Sequence, residues 1–332
     1  METKENRNCD AMVDATNAVL PVLPNQPLVS ILIPSYNQGL FIRDTIDSIL
    51  EQDYRPLKIQ VVDGASTDDT LKVLESYHDC EELSWVSEPD DGVVDAVNKG
   101  FKLIDGDICG IQSSDDVYLP SAISAAVDAM KADAELGLVY GDTIKVDADG
   151  NELLRKQIGP WSLENVLKLK TWIPQPSAFF RRPLLDVCGG WNPEVPYAAD
   201  TDLWLRMWFR TKVKKVDQFW SMRRMHDAQR DTQGHRIIRD YCKMIDQSSE
   251  IAAASDSVQL AAEAGKHLIH VRYSDPHAGL ANAYHLYRAG RLCPDLCDWS
   301  LIGWHATLPI RRRLSTVKQR MLGRPSETKL DT

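Results

Sequence analysis

Four short apolar runs, Leu28 to Ile33, Ile59 to Val62, Leu83 to Val86 and Ile108 to Gln112, alternate with longer amphipathic stretches in the first part of the chain. Short β-branched runs of this kind predict strands, and a strand followed each time by a helix is the pattern of a parallel sheet with crossover connections. The first helix is expected from about Leu40 to Glu51, where Phe41, Ile42, Thr45, Ile46, Ile49 and Leu50 recur at helical spacing. The next should start after Ser66-Thr67-Asp68, whose hydroxyl and carboxylate groups can cap free N–H groups. A third is expected from about Val93 to Leu103, and a fourth after Pro120.

In an open α/β sheet, ligands sit outside the carboxyl ends of the strands, so the residues after each run carry the most weight. They are polar and acidic here. Pro34-Ser35-Tyr36-Asn37-Gln38-Gly39 follows the first run, Asp63-Gly64-Ala65-Ser66-Thr67-Asp68-Asp69-Thr70 the second, Glu88-Pro89-Asp90-Asp91-Gly92 the third and Ser113-Ser114-Asp115-Asp116 the fourth. Four strand ends therefore converge on one acidic crevice. Such a crevice repels a phosphorylated ligand unless a divalent cation lies between them, and hard oxygen ligands suit Mg²⁺ or Mn²⁺. Adjacent acids at a loop are also common as helix caps or solvated turns. The position of Asp115 and Asp116 after a buried strand favours the metal reading.

Several other nucleotide enzymes are excluded by what is missing. Pro34 to Gly39 offers no glycine-rich basic phosphate loop of the nucleotidyltransferase kind, and neither G-x-G-x-x-G nor G-x-x-x-x-G-K-[ST] stands where a dehydrogenase or P-loop enzyme needs it. A glycosidase shares the use of two carboxylates but needs no nucleotide pocket. The net charge of -10 argues against nucleic acid as a partner.

The ordered set of motifs resembles family-2 glycosyltransferases of the GT-A fold. Val29-Ser30-Ile31-Leu32-Ile33-Pro34-Ser35-Tyr36-Asn37 is similar to the family's first strand and nucleotide loop, Val61 to Thr70 to its second, and Glu88 to Gly100 to its donor-side helix start. Gly189-Gly190-Trp191-Asn192, followed by Ala199-Asp200-Thr201-Asp202-Leu203-Trp204-Leu205-Arg206, resembles its acceptor-side motif. The likeness covers roughly residues 28 to 230. It implies a Rossmann-like mixed α/β sheet flanked by helices, and an inverting transfer from a nucleotide-sugar donor, with UDP-sugars favoured, to a glycan or lipid-linked acceptor. The alternative on the same fold is a binding protein without turnover. Its support is Ser113, where the family's pattern has Asp or Asn, and Ala199, where it has an acid.

The resemblance also implies roles. Pro34 and Tyr36 would line the base pocket with Asn37 and Ser66 in the donor loops, and Asp63 would accept a base N–H. Asp91 would lie near the sugar and ribose, with Asn98 and Lys99 nearby. Asp115 and Asp116 would share ribose contact and metal ligation, in an order left open. Asp200 matches the base that deprotonates the acceptor hydroxyl. Asp202 would be a supporting acid or a helix-start carboxylate. Arg223, Arg224 and His226 follow an apparent strand, where His226 would touch metal or diphosphate. Trp191 would stack on an acceptor sugar, while Trp204 and Trp208 at helical spacing suit core packing.

The organisation follows. Residues 1–27, with Pro21, Pro24 and Pro27, are expected as a flexible tail, 28–234 as the GT-A domain and 235–332 as an alanine-rich helical region with a basic end. Asp147, Asp149 and Gly150 read as a hairpin turn, because the far Glu of a calcium loop is missing. Trp299 to Trp304, followed by Arg311, Arg312, Arg313, Lys318, Arg320, Arg324 and Lys329, fits an interfacial helix on an anionic membrane and equally a packed helix with a solvated basic end. Seven scattered cysteines suggest a reducing compartment, and Cys293 and Cys297 are expected on one helix face. No run reaches the roughly 18 apolar residues of a spanning helix. The expected location is the cytoplasm, including the inner face of a bacterial membrane where cell-surface polysaccharide or glycolipid is assembled.

Overall fold

The alternation folds as β1 (Val29–Ser35), α1 (Ile42–Leu50), β2 (Leu57–Asp63), α2 (Thr70–Glu75), β3 (Leu83–Ser87), α3 (Val93–Gly100), β4 (Ile108–Ile111), β5 (Val117–Tyr118) and α4 (Ala122–Ala132). The second half comprises β6 (Leu136–Val146), β7 (Glu152–Arg155), α5 (Leu163–Leu167), β8 (Ala178–Arg181), α6 (Pro183–Cys188), α7 (Ala199–Trp208) and β9 (Lys212–Arg224). Helices α8 (Gly234–Gln247), α9 (Ser249–Ala252), α10 (Asp256–Tyr273) and α11 (Gly279–Leu292) follow. The computed structural model describes residues 18, 20–159, 161–226, 233–275 and 278–308. The basic run from Arg311 to Lys329 and the first 17 residues lie outside them.

The described strands form one mixed sheet in the order β3-β2-β1-β4-β8-β6-β9-β5, with β7 hairpinned onto β6 through the turn at Asp147 to Gly150. β1 pairs in parallel with β2 and β4, and β2 with β3, so these four strands end on the same edge. β8 is antiparallel to β4 and to β6, and β6 runs parallel to β9. All of β1 is buried, as expected for a strand covered on both faces. Ile31 and Ile33 point to one side, against Ile42, Ile46 and Ile49 of α1 and Ile123, Val127 and Met130 of α4. Leu32 points to the other, into a cluster with Val94 and Val97 of α3 and Leu203, Trp204 and Met207 of α7. Trp204 is thus a core residue, and Trp208 packs against Trp161.

Helix α3 approaches β1 most closely at Gly100, where a Cβ would lie 2.1 Å from Leu32 Cδ1. Buried charge is only partly satisfied: Arg181 Nε and Nη1 have no hydrogen-bond partner among the described residues, whereas Asp142 is paired. Asp142 accepts the Ile158 N–H at 2.7 Å and pairs with Lys215 at 3.1 Å, which offsets the desolvation such a carboxylate suffers. Upstream of Leu28, Leu20 and Leu23 pack on the two clusters, and the buried Arg181 guanidinium donates to Pro21 O.

Helices α8 and α10 bury Tyr241, Met244, Ile245, Ala261, Ala262 and Ile269 against Leu163, Val166 and Leu167 of α5 and Leu205 of α7. The Tyr241 hydroxyl donates to Leu167 O at 3.0 Å. Cys293 and Cys297 do not share a helix face. α11 stops at Leu292, and Pro294, unsuited to continuing it, opens the short 3-10 turn Pro294–Leu296 between them. No group of three or more metal-ligating side chains occurs among the described residues. Trp299 and Trp304 are exposed on the helical residues 299–308, and no described helix is long and apolar enough to cross a membrane.

Between α10 and α11, His267 Nδ1 and His285 Nδ1 lie 3.0 Å apart, and the His270 and His285 rings stack at 4.3 Å. Burial, then the neighbouring histidines, lowers His285 from 6.5 to about 4. His267 and His270 are also pushed down, chiefly by burial. Below pH 6.5 the unfolded chain therefore binds protons that the fold refuses. Stability should fall as pH drops from 6.5 towards 4, and His285→Gln should flatten that part of a Tm-against-pH profile. Gly100→Ala should lower the urea unfolding free energy by about 1–3 kcal/mol through overpacking against Leu32.

Candidate functional site

The parallel strand ends, the segment after β3 and the start of α7 enclose a crevice of about 1470 Å³. Pro34, Tyr36, Asp91, Asn98, Asp115, Asp116, Trp191, Asp200 and His226 all line it. Tyr36 is more than half exposed, as a ring waiting for a flat partner would be, whereas Pro34 lies in buried β1.

The loops after β1 and β2 are locked to each other beneath this surface. Asn37, with φ of 53°, donates its backbone N–H to Ser66 Oγ at 2.7 Å and accepts the Thr67 N–H on Oδ1 at 2.9 Å. Ser66 Oγ donates to Asp63 Oδ1 at 2.5 Å, and Asp63 Oδ2 accepts from Ser66 N at 2.9 Å and Ser87 Oγ at 2.7 Å. Asp63 is fully buried and is not part of the crevice wall. Three of about four acceptor positions on its carboxylate are occupied, so in this conformation it organises the loops rather than presenting itself to a base. Ser87, Asp68 and Thr70 complete this support; Asp68 also accepts the Thr70 N–H at 3.0 Å, the capping expected from sequence, whereas the links of Ser87 and Thr70 to the neighbouring loops were not anticipated. Asp68 takes the Gly39 N–H at 2.9 Å, and Thr70 Oγ1 takes that of Gln38 at 2.9 Å. The signal available was the density of short hydroxyl and carboxylate side chains after β2.

The adjacent acids part company. Asp115 Oδ2 lies 2.9 Å from His226 Nε2, each side chain 13% exposed, and the His226 ring stacks on Phe41 at 5.2 Å. Asp116 turns inward, where Oδ1 accepts the backbone N–H of Arg224 at 2.8 Å. Burial, reinforced by the Asp115 carboxylate, pushes Asp116 well above the ordinary carboxylate range. Arg223 and Arg224 are the last residues of β9 rather than residues beyond it. The Arg224 side chain is buried as a strut, donating to Asp115 O at 3.0 Å, Ala148 O at 2.6 Å and Asp44 Oδ2 at 3.0 Å. Ser113 Oγ is engaged with Gln175 Oε1 at 3.0 Å.

Asp115 and His226 form a carboxylate and imidazole pair that fits a Mg²⁺ or Mn²⁺ holding few protein ligands and completed by diphosphate oxygens and water. Lys99 stands apart in a smaller recess of about 220 Å³ with Pro89, Asp90, Asp91 and Asp95, paired to Glu88 at 3.0 Å and Asp95 at 3.2 Å.

On the opposite wall, Asn98 clamps Trp191. Its Nδ2 donates to Trp191 O and its Oδ1 accepts Trp191 N–H, both at 2.8 Å. Asp200 opens the first turn of α7, with Oδ1 accepting the Thr201 N–H at 2.7 Å. Asp202 is buried and lies outside the crevice, paired to Arg206 at 2.6 Å; Arg206 in turn donates to Cys188 O and to Gly190 O at 2.8 Å. Asp202 therefore holds the Gly189-Gly190-Trp191 loop in place.

The chain also resembles known proteins. The pattern of glycosyl transferase family 2 matches residues 30–186. A chondroitin synthase of Escherichia coli is 29% identical over 206 residues, covering 61% of this chain and 30% of that protein. An uncharacterised protein of Mycobacterium tuberculosis is 30% identical over 233 residues, covering 65% and 72%. The chain thus spans under a third of the chondroitin synthase it matches. Staphylococcus aureus TarS 1–349 in complex with UDP-GlcNAc superposes with a TM-score of 0.62 at 15% identity, over 91% of this chain and 94% of that one. The mannosyltransferase PcManGT of Pyrobaculum calidifontis, in complex with GDP-Man and Mn²⁺, gives 0.57 at 21% identity, over 88% and 81%. The fold is GT-A, and the chain belongs to glycosyl transferase family 2.

Proposed function

We propose that the protein transfers a sugar from a nucleoside-diphosphate donor, UDP-sugars favoured, to a hydroxyl of a glycan or glycolipid, with inversion at the anomeric carbon. The observation that carries this reading is the Asp115 and His226 pair in the same strand-end crevice as Asp200. Family membership and the donor complexes of the structural neighbours support it.

The donor would lie with its base near Pro34 and Tyr36 and its sugar towards Asp91. Asp115 and His226 would hold a Mg²⁺ or Mn²⁺, which supplies Lewis-acid stabilisation of the departing diphosphate. Asp200 takes the proton of the acceptor hydroxyl as that oxygen bonds to the anomeric carbon and the bond to the diphosphate breaks. A single displacement inverts the centre. Asn98 and the chain from Asp202 through Arg206 fix the Trp191 wall against which the acceptor packs. Polysaccharide assembly at the cytoplasmic face of a membrane suits the chondroitin and hyaluronan synthase relatives, and exposed Trp299 and Trp304 could rest on that surface.

A thermal-shift screen of nucleotide sugars with and without Mn²⁺ should find a donor that raises Tm through binding to the native state. Asp115→Asn and His226→Ala should remove the Mn²⁺-dependent part of the shift. No metal-dependent shift in the wild type would refute the site. Asp200→Asn should keep the donor shift while transfer falls by about 10²–10⁴-fold. Donor binding without hydrolysis or transfer in the wild type would instead identify a binding protein, the role for which Ser113 and Ala199 speak.

A further inference from the structure

The crevice is larger than the donor reading requires. Small-ligand pockets occupy about 300–1,000 Å³, whereas this one is about 1470 Å³ and continues beyond Asp200 to a wall built by α8 and α10. Those helices lie outside residues 30–186, which match the family pattern. Resting on the sugar-transfer reading, we propose that Trp172, Arg272 and Tyr273 form the acceptor subsite at this far end and select a glycan bearing an anionic group, a carboxylate or a phosphate.

The Arg272 guanidinium lies 5.7 Å from the Trp172 ring centre and 5.8 Å from that of Tyr273. It makes no hydrogen bond or ion pair with any other described residue. Aromatic contact steadies the guanidinium while leaving its N–H edge free, and that edge matches the two oxygens of a carboxylate or phosphate. The rings offer apolar faces to the C–H side of a sugar.

Calorimetric titration of the full chain, loaded with nucleoside diphosphate and Mn²⁺, tests the assignment with three probes: a uronic-acid-containing hexasaccharide, a glycerol-phosphate oligomer and neutral maltohexaose. At least one acidic probe should bind about tenfold more tightly than maltohexaose, and Arg272→Ala should weaken it by about tenfold, with Arg272→Lys recovering part of the loss. Which acidic probe wins identifies the group as carboxylate or phosphate. Maltohexaose binding as tightly as both, an unchanged Arg272→Ala, or no binding by any probe overturns the subsite. The donor-induced thermal shift, measured on the same samples, reads the other end. Its absence in the wild type sinks the sugar-transfer reading itself, while a normal shift without acidic preference sinks only the subsite.

Discussion

The hydrogen bond from the Arg224 backbone to the buried Asp116 carboxylate joins the two halves of the molecule. Asp116 follows the last of the parallel strands, and Arg224 ends the long strand of the second half. Burial makes the contact costly to break, because an unsatisfied carboxylate in that setting has no water to turn to. With Asp116 fixed inward, the neighbouring Asp115 must face the opposite way, and the residues just past Arg224 must deliver His226 to it. The Asp115 and His226 pair is thus a by-product of a structural contact.

This explains what a linear reading could and could not reach. The parallel strands were legible because β-branched runs at Leu28, Ile59, Leu83 and Ile108 leave little choice, and in a parallel sheet their ends share an edge. The acids after those strands followed directly. Their division of labour did not, since Asp115 and Asp116 differ only in which way one turn faces. The parallel pairing of β9 with β6, which brings His226 back across 111 positions, is a tertiary fact with no local signature. Asp63 illustrates the reverse case. Its position was legible, yet Ser66 and Ser87 occupy both of its carboxylate oxygens and hold it below the surface.

The helices after β9 were readable as helices but not as a wall. Their alanine-rich faces suggest close packing, which α10 indeed makes with α5 and α8. Nothing in spacing alone says that Arg272 and Tyr273 arrive beside Trp172 and at the end of a crevice whose other walls belong to the sheet. The helical region therefore extends the crevice instead of merely capping the fold.

The two-bonded clamp between Asn98 and Trp191 has a mechanical implication. α3 begins just after Asp91 and Gly92, and its later turn grips the loop that bears Trp191. A displacement of either segment would be felt by the other through this helix, and linkage would make any such coupling mutual. The close packing of Gly100 on Leu32 is what holds that helix against β1.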